Sequence, residues 1–400
     1  MHDLIIVGGG PAGASCARRA ALHGLDVALL EKSVHPRDKL CGGGLTPRTK
    51  DLVDFDISGV IERDIHAVRL ISPSGRRPYL KRDTQAGYTV KRDKFDHHLL
   101  KKAEEAGAWV EQGTEVVAIE QLQSGIKVLT KGDSYKAPLL VAADGVNGIV
   151  ARSLGIRKRW PSDRVGLCIA AGVPVDPSEI ERAMSVSDEE DYMPIEIYFG
   201  PVEWGYAWCF PKRDELSIGV GCRMDRMSNL KGNWRDFVSM LERTKGIQID
   251  PDSRSAFRVP IGGCEKRLID RRTMLIGDAA GLVSPITGEG IYYAIESGLI
   301  AADIAKEATE SRNLLLVRNY QDIIKTAICP ELDAAMFIAN IIYKSSSNIE
   351  LICKIIQADP VVRELMLDII AATKPMVQLK TALIKRLVTR HPLKALRLGL

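Results

Sequence analysis

Apolar residues come in short runs along the first two thirds of the chain and in long helical periods along the last. Asp3–Val7 predicts a buried strand, Gly8–Gly13 a turn and Ala14–Leu22 an alanine-rich helix stopped by Gly24. Val27–Leu30 is then a second strand, closed by Glu31, so that residues 1–32 read as one βαβ unit. Residues 33–50 are punctuated by glycine and proline and read as a loop. His66–Ile71 and Arg77–Lys81 flank Ser72-Pro73-Ser74-Gly75, the pattern of a hairpin. Arg92–Gly107 brings Phe95, Leu99, Leu100 and Ala103 to one side of a helix, and strands follow near 115–119, 126–130 and 139–143.

Residues 165–262 change character. Val165–Val173, Ile195–Phe199, Gly205–Phe210, Leu216–Gly221 and Arg254–Pro260 alternate as short strands, interrupted by one amphipathic helix near Trp234–Arg243. They predict an antiparallel sheet inserted into a nucleotide-binding unit. Thr273–Ile276 returns to a buried strand and Gly290–Thr309 is a long helix. From 315 the pattern is helical to the end, broken at Pro330, Pro360, Pro375 and Pro392, with Leu393–Leu400 beyond the regular pattern. The fold class is therefore α/β with an inserted β-sheet domain and a helical C-terminal region.

Four hundred residues is two to three domains' worth of chain, and 46% hydrophobic with 26% charged residues excludes a disordered or coiled-coil chain. A net charge of +4 gives no case for nucleic acid. The excess sits at the end: Lys380, Lys385, Arg386, Arg390, Lys394 and Arg397 have no acid among them over residues 376–400. Leu379, Leu383, Leu387 and Val388 fall near one face of that segment, so it reads either as a helix for an anionic membrane surface or lipid channel or as an ordinary packed surface helix. Eight cysteines without a CxxC pair read as reduced intracellular thiols, with neither a disulfide frame nor a metal site. No signal peptide is expected and no stretch reaches the roughly 18 apolar residues of a membrane span. The expected location is cytoplasmic, or peripheral on the inner face of the cell membrane.

Three motifs carry chemistry. Gly8, Gly10 and Gly13 form GxGxxG between a strand and a helix, with Glu31 eighteen residues beyond the last glycine. Gly8 allows the tight turn, Gly10 lets N–H groups approach a pyrophosphate, Gly13 lets helix and strand pack closely, and Glu31 can accept ribose hydroxyls. Alone this suits FAD and NAD equally. Val141-Ala142-Ala143-Asp144-Gly145 and, about 130 residues later, Ile276-Gly277-Asp278-Ala279-Ala280-Gly281 each end a buried strand in an acid. The second runs on through Pro285 and Gly288-Glu289-Gly290-Ile291 into a helix N-terminus, whose roughly half positive charge would favour an anionic reduced flavin. The three motifs together favour FAD.

That order of motifs, with Arg92-Asp93-Lys94-Phe95-Asp96 between the first two, resembles FAD enzymes of the para-hydroxybenzoate hydroxylase group on the glutathione-reductase fold. Within the group the chain resembles the geranylgeranyl reductase family. The resemblance is most detailed at Pro36–Leu45, at Tyr206–Lys212 with Gly219 and Gly221, and at Pro285–Gly298, and it covers residues 1 to about 310. It implies an FAD-binding domain from 1–60, 91–160 and 265–312, substrate-domain strands over 61–90, a substrate and catalytic domain over 161–264, and a helical region over 313–400. Gly13 and Glu31 would hold the ADP half of FAD, Val116 would meet the adenine and Arg92 would brace the pyrophosphate or ribityl region. Asp278 would bind the ribityl chain; Cys41, Gly42, Gly44, Gly290 and Ile291 would line the flavin, with Asp144 also counted among the cofactor residues. Gly281 in place of histidine, and Gly288-Glu289-Gly290 in place of Gly-Gln-Gly, depart from the hydroxylases towards the reductase branch.

The implied reaction saturates isolated C=C bonds of a polyprenyl chain, by hydride from reduced flavin N5 and a proton at the other carbon. Cys41 and Tyr206 are the candidate catalytic side chains, and ordered water is a third proton source. Cys41 reads equally as a small packing residue. Tyr206, Trp208 and Phe210 share one strand face, which is either core or the prenyl channel; Cys168, Cys222, His97 and His98 lack a partner pattern and read as structural. A flavin monooxygenase and a non-catalytic FAD-containing prenyl-lipid binder are the alternatives. Partners implied are a polyprenyl lipid, a peripheral membrane contact and an external electron donor, either ferredoxin, which the lack of a second GxGxxG leaves open, or NAD(P)H, which in this group needs no Rossmann domain of its own.

Overall fold

The computed structural model describes residues 2–184 and 191–400. Met1 of the first βαβ unit and residues 185–190 of the inserted region lie outside the described residues. A six-stranded sheet forms in the order Ile269–Asp270, Thr273–Leu275, Leu139–Ala142, Leu4–Val7, Val27–Glu31, Trp109–Gln112. Leu4–Val7 pairs in parallel with the strands on both sides, Leu4 opposite Val27 and Leu139. Its four residues are wholly apolar and buried, with helix Pro11–Leu22 and strand Ser134–Ala137 of a three-stranded antiparallel sheet both packed against it. Helix Pro11–Leu22 buries Ala14, Cys16, Ala17 and Ala20 and packs on helices Arg92–Glu105 and Ile291–Glu310. The small side chains permit that close approach: a Cβ on Gly298 would run into the Ala12 carbonyl oxygen.

A seven-stranded sheet runs Ser255–Pro260, Val165–Pro174, Glu215–Arg223, Gly205–Pro211, Pro194–Tyr198, Ala67–Ile71, Tyr79–Lys81. It is antiparallel except that Pro194–Tyr198 and Ala67–Ile71 run parallel. No hairpin joins those two strands, so nothing local fixes their relative direction. One face carries helix Leu230–Lys245, longer than the expected Trp234–Arg243 because Asn229 accepts the Gly232 N–H at 3.1 Å and left-handed Gly246 ends the last turn. Helix Pro177–Met184, unforeseen among the strand patterns, packs beside it through Ile180 and Met184. The opposite face meets the C-terminal helices, where Val68, Leu70, Trp204 and Ile286 share a core with Ile338, Ile352 and Met366.

Those helices are Val317–Ala327, Cys329–Ile342, Ser346–Ala358, Pro360–Ala371, Met376–Arg390 and Pro392–Leu398. The prolines begin helices, where their missing N–H costs nothing, and Pro392 accordingly opens a final helix instead of ending the pattern. Leu379, Leu383 and Leu387 are buried against neighbouring helices, whereas Val388 is 47% exposed and lies off the stripe. Arg386 is not part of a free basic face: its Nε and Nη2 donate to Asp359 at 2.8 and 3.0 Å, and His391 Nε2 meets the same carboxylate at 2.9 Å. A second correction concerns the thiols. Cys264 and Cys329 form a disulfide, their Cα atoms 5.3 Å apart across a separation of 65 residues that spacing alone cannot connect.

Candidate functional site

The Gly8–Gly13 turn is shaped by its backbone. Gly8 has φ +106° and a Cβ there would collide with the Ala143 carbonyl; a Cβ on Gly13 would fall on the Gly8 carbonyl oxygen. Helix Pro11–Leu22 starts at Gly10 in extended conformation with no side-chain cap, so its first N–H groups stay open to an anion. Glu31, buried at the end of its strand, accepts the Gly9 N–H at 2.5 Å through Oε2 and the Ser33 N–H at 2.9 Å through Oε1. Each oxygen keeps a lone pair with which it could accept a ribose hydroxyl. The Thr114 N–H donates to the Glu31 carbonyl at 2.9 Å, bringing Val116, first residue of strand Val116–Gln121, to the same end of the sheet. Asp144 is half committed: its Oδ1 is buried with no partner among the described residues. Its Oδ2 accepts the Val150 N–H at 2.9 Å within its own loop, and burial raises its pKa.

At the second strand end, Gly277–Ala280 forms a short 3-10 turn holding Asp278. Burial raises the Asp278 pKa, opposed by Lys39 and Arg92. A Cβ on Gly290 would stand 3.6 Å from Asp278 Oδ1, and helix Ile291–Glu310 starts at Gly290 without a capping side chain. Ile291, its first residue, is buried. Arg92 donates through Nε and Nη2 to Asp96 at 2.7 and 2.9 Å, and the Asp96 side chain is fully buried. Lys39 lies beside these groups with Nζ 5.1 Å from the Phe257 ring centroid; burial, then Arg92, lowers its pKa. Lys39 and Arg37 fall within the Pro36–Leu45 stretch of the family resemblance, which implies no role for either.

From this end opens a cavity of about 240 Å³. Cys41, Gly42 and Gly44 form part of its wall, and Tyr206, Trp208 and Phe210 line it from strand Gly205–Pro211, while Ala207 and Cys209 point into the core on the other face. A Cβ on Gly42 would be 2.9 Å from the Phe210 ring. The Tyr206 hydroxyl donates to the Thr287 carbonyl at 2.5 Å, and burial raises its pKa, keeping the phenol protonated. Ser217 Oγ donates to the Cys41 carbonyl at 3.1 Å and fixes that loop. Cys168 and Cys222, read from sequence as structural, also line the cavity; burial pushes the Cys168 thiol up to about 12. Glu289 is held by Thr46 Oγ1 at 2.5 Å and by Arg48, whose guanidinium lies 3.8 Å from the Tyr292 ring centroid. The far wall is Ile342, Tyr343, Met366, Ile369 and Ile370 of the C-terminal helices.

An uncapped Gly-rich helix start, a buried ribose-type acid and an apolar cavity at a second uncapped helix start fit FAD. A model of the FAD binding domain matches residues 1–322. The chain is 31% identical over 322 residues to digeranylgeranylglycerophospholipid reductase 2 of Methanosphaera stadtmanae, covering 76% of this chain and 78% of that protein. It is also 31% identical over 345 residues to the digeranylgeranylglycerophospholipid reductase of Thermoplasma acidophilum, covering 81% and 83%. A solved structure from Thermoplasma acidophilum, described as geranylgeranyl bacteriochlorophyll reductase-like, superposes with TM-score 0.80 at 25% identity over 100% of this chain and 98% of that one. The flavin-dependent brominase Bmp2 shares the fold, with TM-score 0.72 at 18% identity over 96% and 98%. With its glycine turn, buried Glu31 and matched length, the chain belongs to the FAD-binding flavoprotein family that includes the digeranylgeranylglycerophospholipid reductases.

Proposed function

We propose that this protein is an FAD-dependent reductase that saturates isolated C=C bonds of a geranylgeranyl-type polyprenyl lipid. The observation that carries the reading is the cavity, which runs from Cys41–Gly44 and Pro285–Glu289 to Met366 and Ile370 and is walled almost wholly by apolar side chains. A prenyl chain is a long hydrocarbon with no polar handle along its length, and such walls bind it by burial alone. Bound FAD, once reduced, supplies the hydride. Gly8, Gly10, Gly13, Glu31 and Val116 hold its ADP half; Arg92, Asp278, Gly290 and Ile291 hold the flavin half, with Cys41, Gly42 and Gly44 against the ring. Tyr206, Trp208 and Phe210 press the alkene against that wall and exclude water, and the Cys41 thiol, the Tyr206 phenol and an ordered water are the candidate proton sources.

In this reading 1–60, 91–160 and 265–312 serve the cofactor, 61–90 and 161–264 the substrate, and 313–400 closes the lipid channel. The electron donor is external, a ferredoxin or a nicotinamide nucleotide. Leu393 and Leu396, 78% and 72% exposed beside Lys394 and Arg397, suit a peripheral contact with anionic lipid on the inner membrane face. Among the described residues no single helix is long and apolar enough to cross a membrane.

Photoreduction under argon with a geranylgeranyl lipid tests the reaction. Saturated product without dioxygen is expected. Product only when dioxygen is admitted would make the protein a monooxygenase, and none under either condition would make it a binder.

A further inference from the structure

Two arginines share one buried acid. Asp96, whose side chain is fully buried, accepts Nε and Nη2 of Arg92 at 2.7 and 2.9 Å and Nη2 of Arg37 at 3.1 Å. They differ in what remains. Arg92 spends two of its donors on Asp96 and faces Cys41, Lys39 and Asp278, the residues of the second strand end. Arg37 makes a single bond, and its Nη1 is buried with no partner among the described residues. A buried guanidinium N–H left unpaired is destabilising unless something accepts it.

The place of Arg37 says what that acceptor is. A Cβ built on Gly10 would stand 3.8 Å from Arg37 Nη2. Gly10 lacks a side chain in this turn because the pyrophosphate of a bound dinucleotide passes over that position. The Arg37 fork therefore lies alongside the path of the two phosphates, opposite the open N–H groups at the start of helix Pro11–Leu22. A planar guanidinium anchored on one edge by a carboxylate presents its other edge in the geometry that phosphate oxygens accept.

We infer that Arg37 is the side chain that binds the diphosphate of FAD, and that Arg92 serves the ribityl and flavin end instead. Asp96 acts as the positioning residue that holds both apart. The inference rests on FAD occupying the Gly8–Gly13 turn, and it divides between two residues a task that the family resemblance placed on Arg92.

The test uses the purified holoprotein. FAD affinity is read from the fluorescence of flavin released on dilution, and ADP and AMP affinities from their displacement of bound FAD. Arg37→Ala should weaken FAD and ADP roughly 10- to 100-fold while changing AMP little, because AMP lacks the second phosphate. Arg92→Ala should weaken FAD but not ADP. Arg37→Lys, which keeps the charge and loses the fork, should fall between wild type and Arg37→Ala, and it serves as the test should the alanine variant not fold. The inference is overturned if ADP affinity survives in the Arg37 variants, or if ADP and AMP weaken together as a general loosening would make them. Failure of the holoprotein to carry FAD would instead overturn the cofactor assignment beneath it.

Discussion

At Gly8 and Gly13 the backbone approaches itself so closely that one added methyl group has no space, whereas the cavity wall at Met366, Ile369 and Ile370 is a set of flexible hydrocarbon side chains contributed from the C-terminal helices. The first region holds a rigid, charged cofactor through N–H groups whose positions are set by φ and ψ. The second holds a chain through area, and many apolar residues of similar volume would serve. One end of the site is thus intolerant of any change and the other tolerant of most, although both face the same reaction.

The contrast is broken most easily at the glycines. Gly13→Ala should destabilise the fold by roughly 3 kcal/mol or more and yield protein without flavin, read from Tm and visible absorbance. A yellow variant with unchanged Tm would show that the turn is not backbone-limited. Next comes Glu31→Ala, expected to weaken FAD by about 1–3 kcal/mol through lost ribose hydrogen bonds and the release of the Gly9 N–H, measured by flavin fluorescence titration.

At the boundary of the two regions, Cys41→Ser should retain the FAD spectrum and slow anaerobic alkene reduction about 10-fold or more, if its thiol takes part in proton delivery. Unchanged turnover would return Cys41 to packing. The smallest effect belongs to the C-terminal helices. Arg386 first, then His391 and the Val361 and Val362 N–H groups, hold the Asp359 carboxyl well below the usual carboxylate range. Its stabilising contribution is therefore complete above the ordinary aspartate pKa of about 3.9 and is lost as pH falls below it. Asp359→Asn keeps a capping oxygen and should cost about 0.5–1 kcal/mol at neutral pH, with the difference from wild type shrinking in acid. A pH-independent difference would sink the ion-pair account.

The same contrast explains what the sequence revealed. Glycines at fixed intervals after an apolar strand have few other uses, so the turn, Glu31 and the Asp278 turn stand out as patterns. Tyr206, Trp208 and Phe210 could be placed on one face by alternation, and they do line the cavity together. The rest depended on juxtaposition. Cys168 and Cys222 look like any buried thiols until strands Val165–Pro174 and Glu215–Arg223 pair in register, and Cys264 finds Cys329 only after the C-terminal helices fold back. Arg37 lies inside the Pro36–Leu45 stretch of the family resemblance, but only the fold brings it near Gly10. Asp144 stands between the two cases: one carboxylate oxygen bonds within its own loop and the other is buried without a partner among the described residues.

Whether the two regions form one working site is tested most directly at Ile370, a partly buried cavity residue of the far wall. Anaerobic turnover of a geranylgeranyl lipid is compared with that of its geranyl counterpart in wild type and in Ile370→Trp, each with its flavin content measured. If the C-terminal helices house the chain that is reduced beside Cys41, the tryptophan lowers turnover of the long lipid selectively and leaves FAD content unchanged. An unchanged ratio between long and short lipids in a fully flavinated variant would contradict a channel joining the two ends.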